Sequence, residues 1–174
     1  TLNSGQICLA PDYVMVHKSK KDEFVNSVKE VVNEYYPSIK DNKDYTSIIN
    51  QNHYDRIQGL IADAKEKGAT VETINPANED FTQQEFYKIP PTLIFNVDDS
   101  MDVMKEEIFG PVLPIKEYES LDETISYVNS NDKPLGLYYF GSDKNEEAKV
   151  IDKTSSGGVT VNNVISHIQQ GDLP

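Results

Sequence analysis

Short apolar runs alternate with helix-period segments along this chain, and no other feature narrows its fold as far. Tyr13-Val14-Met15-Val16 is a continuous apolar run, as expected of a strand buried on both faces. Phe24, Val25, Val28, Val31, Val32 and Tyr35 follow at helical spacing, and Pro37 stops them. Tyr54, Ile57, Leu60, Ile61 and Ala64 share a second helical face, which ends at Gly68. Strand-like runs come next at 71–74, 92–95 and 112–115, then a helix bearing Leu121, Ile125 and Val128. Ser120 precedes that helix as N-cap with Glu123 three residues on, a capping-box pattern. Residues 137–140 read as another buried strand, 144–153 as a short helix and 159–161 as a last strand; the polar stretch 75–84 reads as an exposed loop. Successive parallel strands need crossover connections, usually helices. The alternation therefore predicts an α/β fold, a largely parallel sheet with flanking helices.

Composition removes several function classes. Acidic residues outnumber basic ones 29 to 16, for a net charge of −13. That field repels polyanions, so nucleic acid is not an expected partner. The densest basic cluster, Lys18, Lys20 and Lys21, sits where a helix begins and reads as a solvated face. No run is long and apolar enough for a membrane segment. His17, His53 and His167 are scattered without zinc-type spacing, so no metal is expected. Neither a G-x-G-x-x-G nor a G-x-x-x-x-G-K-[ST] turn occurs, so the usual phosphate cradle for a nucleotide is missing. Cys8 is the single cysteine and forms no internal disulfide, which fits a reducing, cytoplasmic setting.

Three stretches could carry chemistry. Cys8 follows Asn3-Ser4-Gly5-Gln6, a small, polar, flexible approach whose backbone N–H groups could stabilise a thiolate; a small buried hydrophobe is the alternative. No lysine or arginine lies within five residues, so a base must come from elsewhere in the fold. Met104–Ile115 places Glu106 and Glu107 ahead of Ile108-Phe109-Gly110-Pro111. Gly-Pro makes a turn into the next strand. The acids are either solvated or, with the Phe109 ring, presented to a ligand. Ser155–His167 combines Gly157-Gly158 with Asn162 and Asn163 just past a strand, and ligands of open α/β sheets gather at strand carboxyl ends. A tight turn, a polar loop and a surface or packed His167 imidazole remain the alternative there.

Taken together and in order, the three stretches resemble the aldehyde dehydrogenase superfamily. Asn3-Ser4-Gly5-Gln6-Ile7-Cys8 is similar to its catalytic-cysteine motif N-x-G-Q-x-C, Glu107-Ile108-Phe109-Gly110-Pro111 to its E-x-F-G-P motif, and Ser156-Gly157-Gly158 with Asn162 to the segment before its C-terminal active-site loop. The wording "GQICLAPDYV", "NDKPLGLYYF" and "SSGGVTVN" is most similar to the class 3 and coniferyl aldehyde dehydrogenase branch.

The resemblance implies a mechanism. Cys8 would attack an aldehyde to give a thiohemiacetal, NAD or NADP would take the hydride, and water would hydrolyse the thioester to a carboxylic acid. Glu107 would bind the nicotinamide ribose and Phe109 would pack beside the nicotinamide. Asn162 and His167 would belong to the substrate and active-site loop. The oxyanion would be held by the Cys8 backbone N–H and an upstream asparagine. The resemblance also implies that residues 1–174 are the cysteine-bearing catalytic domain, truncated at both ends. The cofactor-binding domain, the general-base glutamate and the oxyanion asparagine would all lie upstream, and a further loop beyond Leu173-Pro174. The fragment would then be inactive alone and prone to self-association, while the full-length enzyme would be a homodimer acting on a small-molecule aldehyde. An acylating member of the same superfamily and a non-catalytic acidic α/β binding module are the alternatives.

Overall fold

The computed structural model describes residues 2–169 and 171. Thr1 and Leu173-Pro174, where the resemblance places the truncations, lie outside the described residues. The chain forms two compact units: residues up to 7 with 11–117, and residues 8–10 with those from 118 onward.

The first unit holds strand β1 (Val14–His17), helices α1 (Lys21–Tyr35) and α2 (Gln51–Glu66), and strands β2 (Thr70–Thr73), β3 (Thr92–Phe95) and β4 (Val112–Tyr118). The four strands form one sheet in the order β1-β4-β3-β2. β3 runs parallel to β4, with Thr92 opposite Val112, and antiparallel to β2, with Thr70 opposite Phe95. β3 is buried at every position, as a run of β-branched and large apolar residues in a central strand should be. Its side chains alternate between two cores. Leu93 and Phe95 join Val16, Ile115 and the α1 residues Val25 and Val32. Ile94 joins Val112 and the α2 residues Ile57, Leu60 and Ala64. Successive strand residues face opposite sides, so the two helices cover opposite faces of the sheet.

The second unit holds α3 (Leu121–Ser130), β5 (Leu137–Tyr139), α4 (Lys144–Lys153) and β6 (Val159–Val161). β5 and β6 pair in parallel as a separate two-stranded sheet, with Tyr138 opposite Thr160. Ser120 caps α3 by accepting the Glu123 N–H at 3.4 Å, and the Glu123 carboxylate reaches back to the Glu119 N–H at 3.0 Å, one residue before the cap. α3 and α4 are joined by the Lys149–Asp122 ion pair and by the Asn129 amide donating to the Lys153 carbonyl.

The α/β class and the flanking helices are as the alternation predicts, and two of the three strand pairings above are parallel. Two strands are less buried than their apolar runs suggest. In β1 only Val16 is buried; Val14 and Val16 face α1 while Met15 turns away. All three β5 residues are half-buried, and Phe140, just past the strand, is 63% exposed. A two-stranded sheet has too little area to bury both faces.

The 75–84 loop is tied down more firmly than its polarity suggests. The Glu79 carboxylate accepts the Ile39 and Lys40 backbone N–H groups at 2.7 and 3.0 Å, and Asn75 bonds the Glu79 backbone in both directions. Nearby, Lys88 is buried and donates to the Ile39 and Asn42 carbonyls. Burial pulls its ammonium below the usual lysine range, against the opposing pull of Asp41 and Glu79.

Candidate active site

The approach to Cys8 folds as a left-handed turn. Asn3 and Ser4 both sit at φ 51° and Gly5 at φ 76°. Left-handed backbone costs an L-residue about 1–2 kcal/mol, so such a turn needs external support. Ser4 is buried and its hydroxyl donates to the Thr46 carbonyl at 2.5 Å. The Gln6 side chain is fully engaged: its amide donates to the Asn3 and Ser47 carbonyls, and its oxygen accepts the Ile49 N–H at 3.0 Å. A glycine is required at position 5 on two counts. Its φ is positive, and a Cβ there would stand 2.3 Å from the Gly110 carbonyl oxygen. Two motifs 105 positions apart in sequence therefore meet backbone to backbone.

The Glu107–Pro111 turn is held from the other side. Phe109 sits at φ 50° and is 37% exposed. Gly110 lies against Ile57, whose Cδ1 would be 2.6 Å from a Cβ. Two residues not anticipated from the sequence grip this turn. The Arg56 guanidinium donates to the Glu107 carbonyl at 3.1 Å and to the Ile108 carbonyl at 2.5 Å, and the Asp12 carboxylate accepts the Ile108 N–H at 2.8 Å. Burial pushes the Asp12 carboxyl above its ordinary range; the Ile108 N–H and Arg56 pull it down, and the Glu107 charge adds to the rise. Because Arg56 is committed to backbone carbonyls, the exposed Glu107 carboxylate accepts no hydrogen bond and joins no ion pair among the described residues.

Cys8 belongs to the second unit, as do Asn162 and His167, whereas Glu107 and Phe109 belong to the first. The Cys8 thiol is free and exposed. Asn162 is at φ 53°; its amide donates to the Gly141 carbonyl and accepts the Gly141 N–H, each at 2.9 Å. It therefore shapes the end of the β5–β6 pair. His167 bonds the Thr160 hydroxyl through Nδ1 at 2.9 Å, and its ring lies over Gly158, where a Cβ would meet Cδ2 at 2.4 Å. Tyr138, a third residue not anticipated, donates its hydroxyl to the Leu9 carbonyl at 2.7 Å. Among the described residues no cluster of His, Cys, Asp and Glu could hold a metal ion.

The model of the aldehyde dehydrogenase family matches residues 1–173. The chain belongs to that family. A probable coniferyl aldehyde dehydrogenase of Caulobacter vibrioides is 56% identical over the whole chain and 36% of its own length. The dimeric NADP-preferring aldehyde dehydrogenase of Rattus norvegicus is 40% identical over 99% of this chain and 36% of its own. The substrate-bound Staphylococcus aureus AldH superposes with a TM-score of 0.87 at 35% identity, covering 98% of this chain and 36% of that one. The chain thus spans about a third of the length of the curated aldehyde dehydrogenases it matches.

Proposed function

We propose that residues 1–174 are the cysteine-bearing catalytic part of an NAD(P)-dependent aldehyde dehydrogenase that oxidises aldehydes to carboxylic acids. The observation that carries this reading is the exposed Cys8 thiol, placed after a buttressed Asn-x-Gly-Gln turn in a chain that matches the family over 1–173. Likeness to the Caulobacter relative favours aromatic aldehydes of the coniferyl type, and the name of the rat relative favours a dimeric whole enzyme. A single free thiol and the lack, among the described residues, of a helix able to cross a membrane fit a cytoplasmic place.

In this reading the Cys8 thiolate adds to the aldehyde carbon and forms a thiohemiacetal. The Cys8 backbone N–H, with an asparagine outside this chain, holds the oxyanion. Loss of hydride from that carbon leaves a thioester on Cys8, which water hydrolyses to the acid, freeing the thiol. The nicotinamide cofactor, when bound, accepts the hydride. Glu107 would accept the ribose hydroxyls and Phe109 would pack on the nicotinamide ring. Asn162 and His167 would shape the active-site loop by holding Gly141 and Thr160 respectively.

The general base and the second oxyanion donor contribute roughly 10²–10⁴-fold and 10²–10³-fold to such reactions. Both are proposed to lie outside these residues, so the 174-residue chain alone is expected to be inactive. The test is coniferaldehyde-dependent formation of reduced cofactor by the full-length protein. It should be robust in the wild type, absent in Cys8→Ala and absent in the isolated chain. Undiminished activity in full-length Cys8→Ala would refute the assignment.

A further inference from the structure

Residues 8–10 join the second unit although their neighbours on both sides belong to the first. So short a strip needs a specific anchor. We propose that the Tyr138 hydroxyl is that anchor, and hence a positioning residue for the nucleophile segment, with the His167–Thr160 pair holding the phenol ring in place. Calling the segment nucleophilic rests on the function proposed above; the tether itself does not.

The geometry is local and consistent. Tyr138 Oη donates to the Leu9 carbonyl at 2.7 Å, bridging 129 sequence positions. Gly136 keeps the approach open, since a Cβ there would lie 3.0 Å from Tyr138 Oη and 3.3 Å from Leu9 Cδ2. Tyr138 and Thr160 are directly opposed in the β5–β6 ladder, so their side chains stand on the same face of the small sheet. Thr160 is buried, and its hydroxyl meets both His167 Nδ1, at 2.9 Å, and the His167 backbone N–H, at 3.3 Å. The imidazole so fixed packs on the Tyr138 ring, with centroids 6.1 Å apart and planes tilted by 39°. The cluster holds the phenol where its hydroxyl meets the Leu9 carbonyl, and the Ile165 backbone N–H faces the same oxygen. Fixing the Leu9 carbonyl fixes the peptide plane between Leu9 and Ala10, and so limits rotation one residue from the thiol.

His167 then stands in a supporting place behind Tyr138, with no direct contact with substrate in its role. Phenylalanine at 138 would fill the same space on His167 and leave both Leu9 and the Ile165 N–H without the phenol oxygen.

The test uses Tyr138→Phe in the full-length protein, with Tyr139→Phe as control. The Ala10 N–H donates no hydrogen bond among the described residues, so the readout is the 15N order parameter of that peptide plane, which should fall from the rigid-backbone range to below about 0.6. The order parameter at Leu137, whose N–H donates to the Gly158 carbonyl at 2.9 Å across the ladder, should stay unchanged. With aldehyde, kcat should fall about tenfold or more while KM holds, because a misplaced nucleophile slows chemistry rather than binding. Thr160→Val, which loosens His167, should shift both readouts the same way by a smaller factor.

An unchanged Ala10 order parameter in Tyr138→Phe would overturn the tether. So would an equal fall at Ala10 and Leu137, which would mean a general loosening of the unit. A lower Ala10 order parameter with unchanged kcat would overturn the positioning role. Failure of the function proposed above shows separately, as aldehyde oxidation that survives Cys8→Ala while the order-parameter result stands.

Discussion

Three glycines of the first unit offer a graded test of how tightly the cysteine approach is packed. Gly59 lies within α2 with open space around it, Gly68 has φ +97° and open space, and Gly5 has φ +76° and the Gly110 carbonyl in its path. Alanine at 59 only removes backbone entropy from the unfolded chain and should stabilise the unit by about 0.5–1 kcal/mol. Alanine at 68 meets no atom, so it should cost the conformational strain alone, roughly 1–2 kcal/mol. Alanine at 5 pays that strain and must also move its Cβ–oxygen contact from 2.3 Å to at least 3.0 Å. The obstacle is backbone, itself wedged against Ile57, so neither side yields cheaply. Overpacking of this kind adds about 1–3 kcal/mol, for a total of roughly 2–5. The chain has no tryptophan, so urea unfolding is best followed by far-ultraviolet circular dichroism or tyrosine emission. All three sites lie in one unit, so their midpoints can be compared at a shared m-value. The reasoning fails if Gly5→Ala is no less stable than Gly68→Ala.

Arg56→Met removes both bonds to the Glu107–Ile108 carbonyls, each of the charge-assisted kind worth about 1.5–3 kcal/mol. KM for the nicotinamide cofactor in the full-length protein should rise about tenfold or more, while KM for aldehyde stays put; the reverse pattern would refute the role given to this turn. Asp12→Asn keeps an acceptor for the Ile108 N–H and drops a desolvated charge, so at neutral pH it should match or exceed the wild type in stability, whereas Asp12→Ala should lose about 1–3 kcal/mol. The Asp12 carboxyl is raised in the folded state, so its penalty exists above that raised value and is relieved as pH falls below the ordinary 3.8; the advantage of Asn should shrink toward about pH 4. Asp63, Asp80 and Asp98 work in the opposite sense: each is lowered, chiefly by Lys67, Thr82 and Ser100 respectively. Their stabilisation is present above 3.8 and is lost as pH falls through the lowered values. Acid titration of the urea midpoint for each Asp→Asn variant separates the two behaviours.

The elements were legible because their signals are local. Helical spacing and Pro37 delimited α1, Ser120 and Glu123 marked the start of α3, and the apolar run at 92–95 gave β3 to the residue. What escaped was set by long-range contacts. The residue gripping Ile108 comes from 96 positions upstream, and Arg56 reaches 51 and 52 positions ahead. One clue did stand in the sequence: Arg56 is its only arginine, and a planar five-donor group used once in 174 residues usually has a definite purpose. Asn162 stands just past a strand and His167 ends the same stretch, yet the side-chain bonds that occupy them run to Gly141 and Thr160. Neither partner carries a chemical signature that spacing alone would flag. The strands β1 and β5 were read as more buried than they are because an apolar run reports composition, whereas burial depends on what covers each face.

The strip at 8–10 has a consequence for synthesis. Its anchor on Tyr138 lies 129 residues further along the chain. At ribosomal rates of about 5–20 residues per second, that partner emerges on the order of ten seconds after the strip itself. Closing so long a loop carries an entropic cost that nearer partners avoid, so the seat of the thiol should be among the last parts of the chain to form. Until then Cys8 is an unseated nucleophile on a nascent polypeptide, open to oxidants and electrophiles before it has its final surroundings.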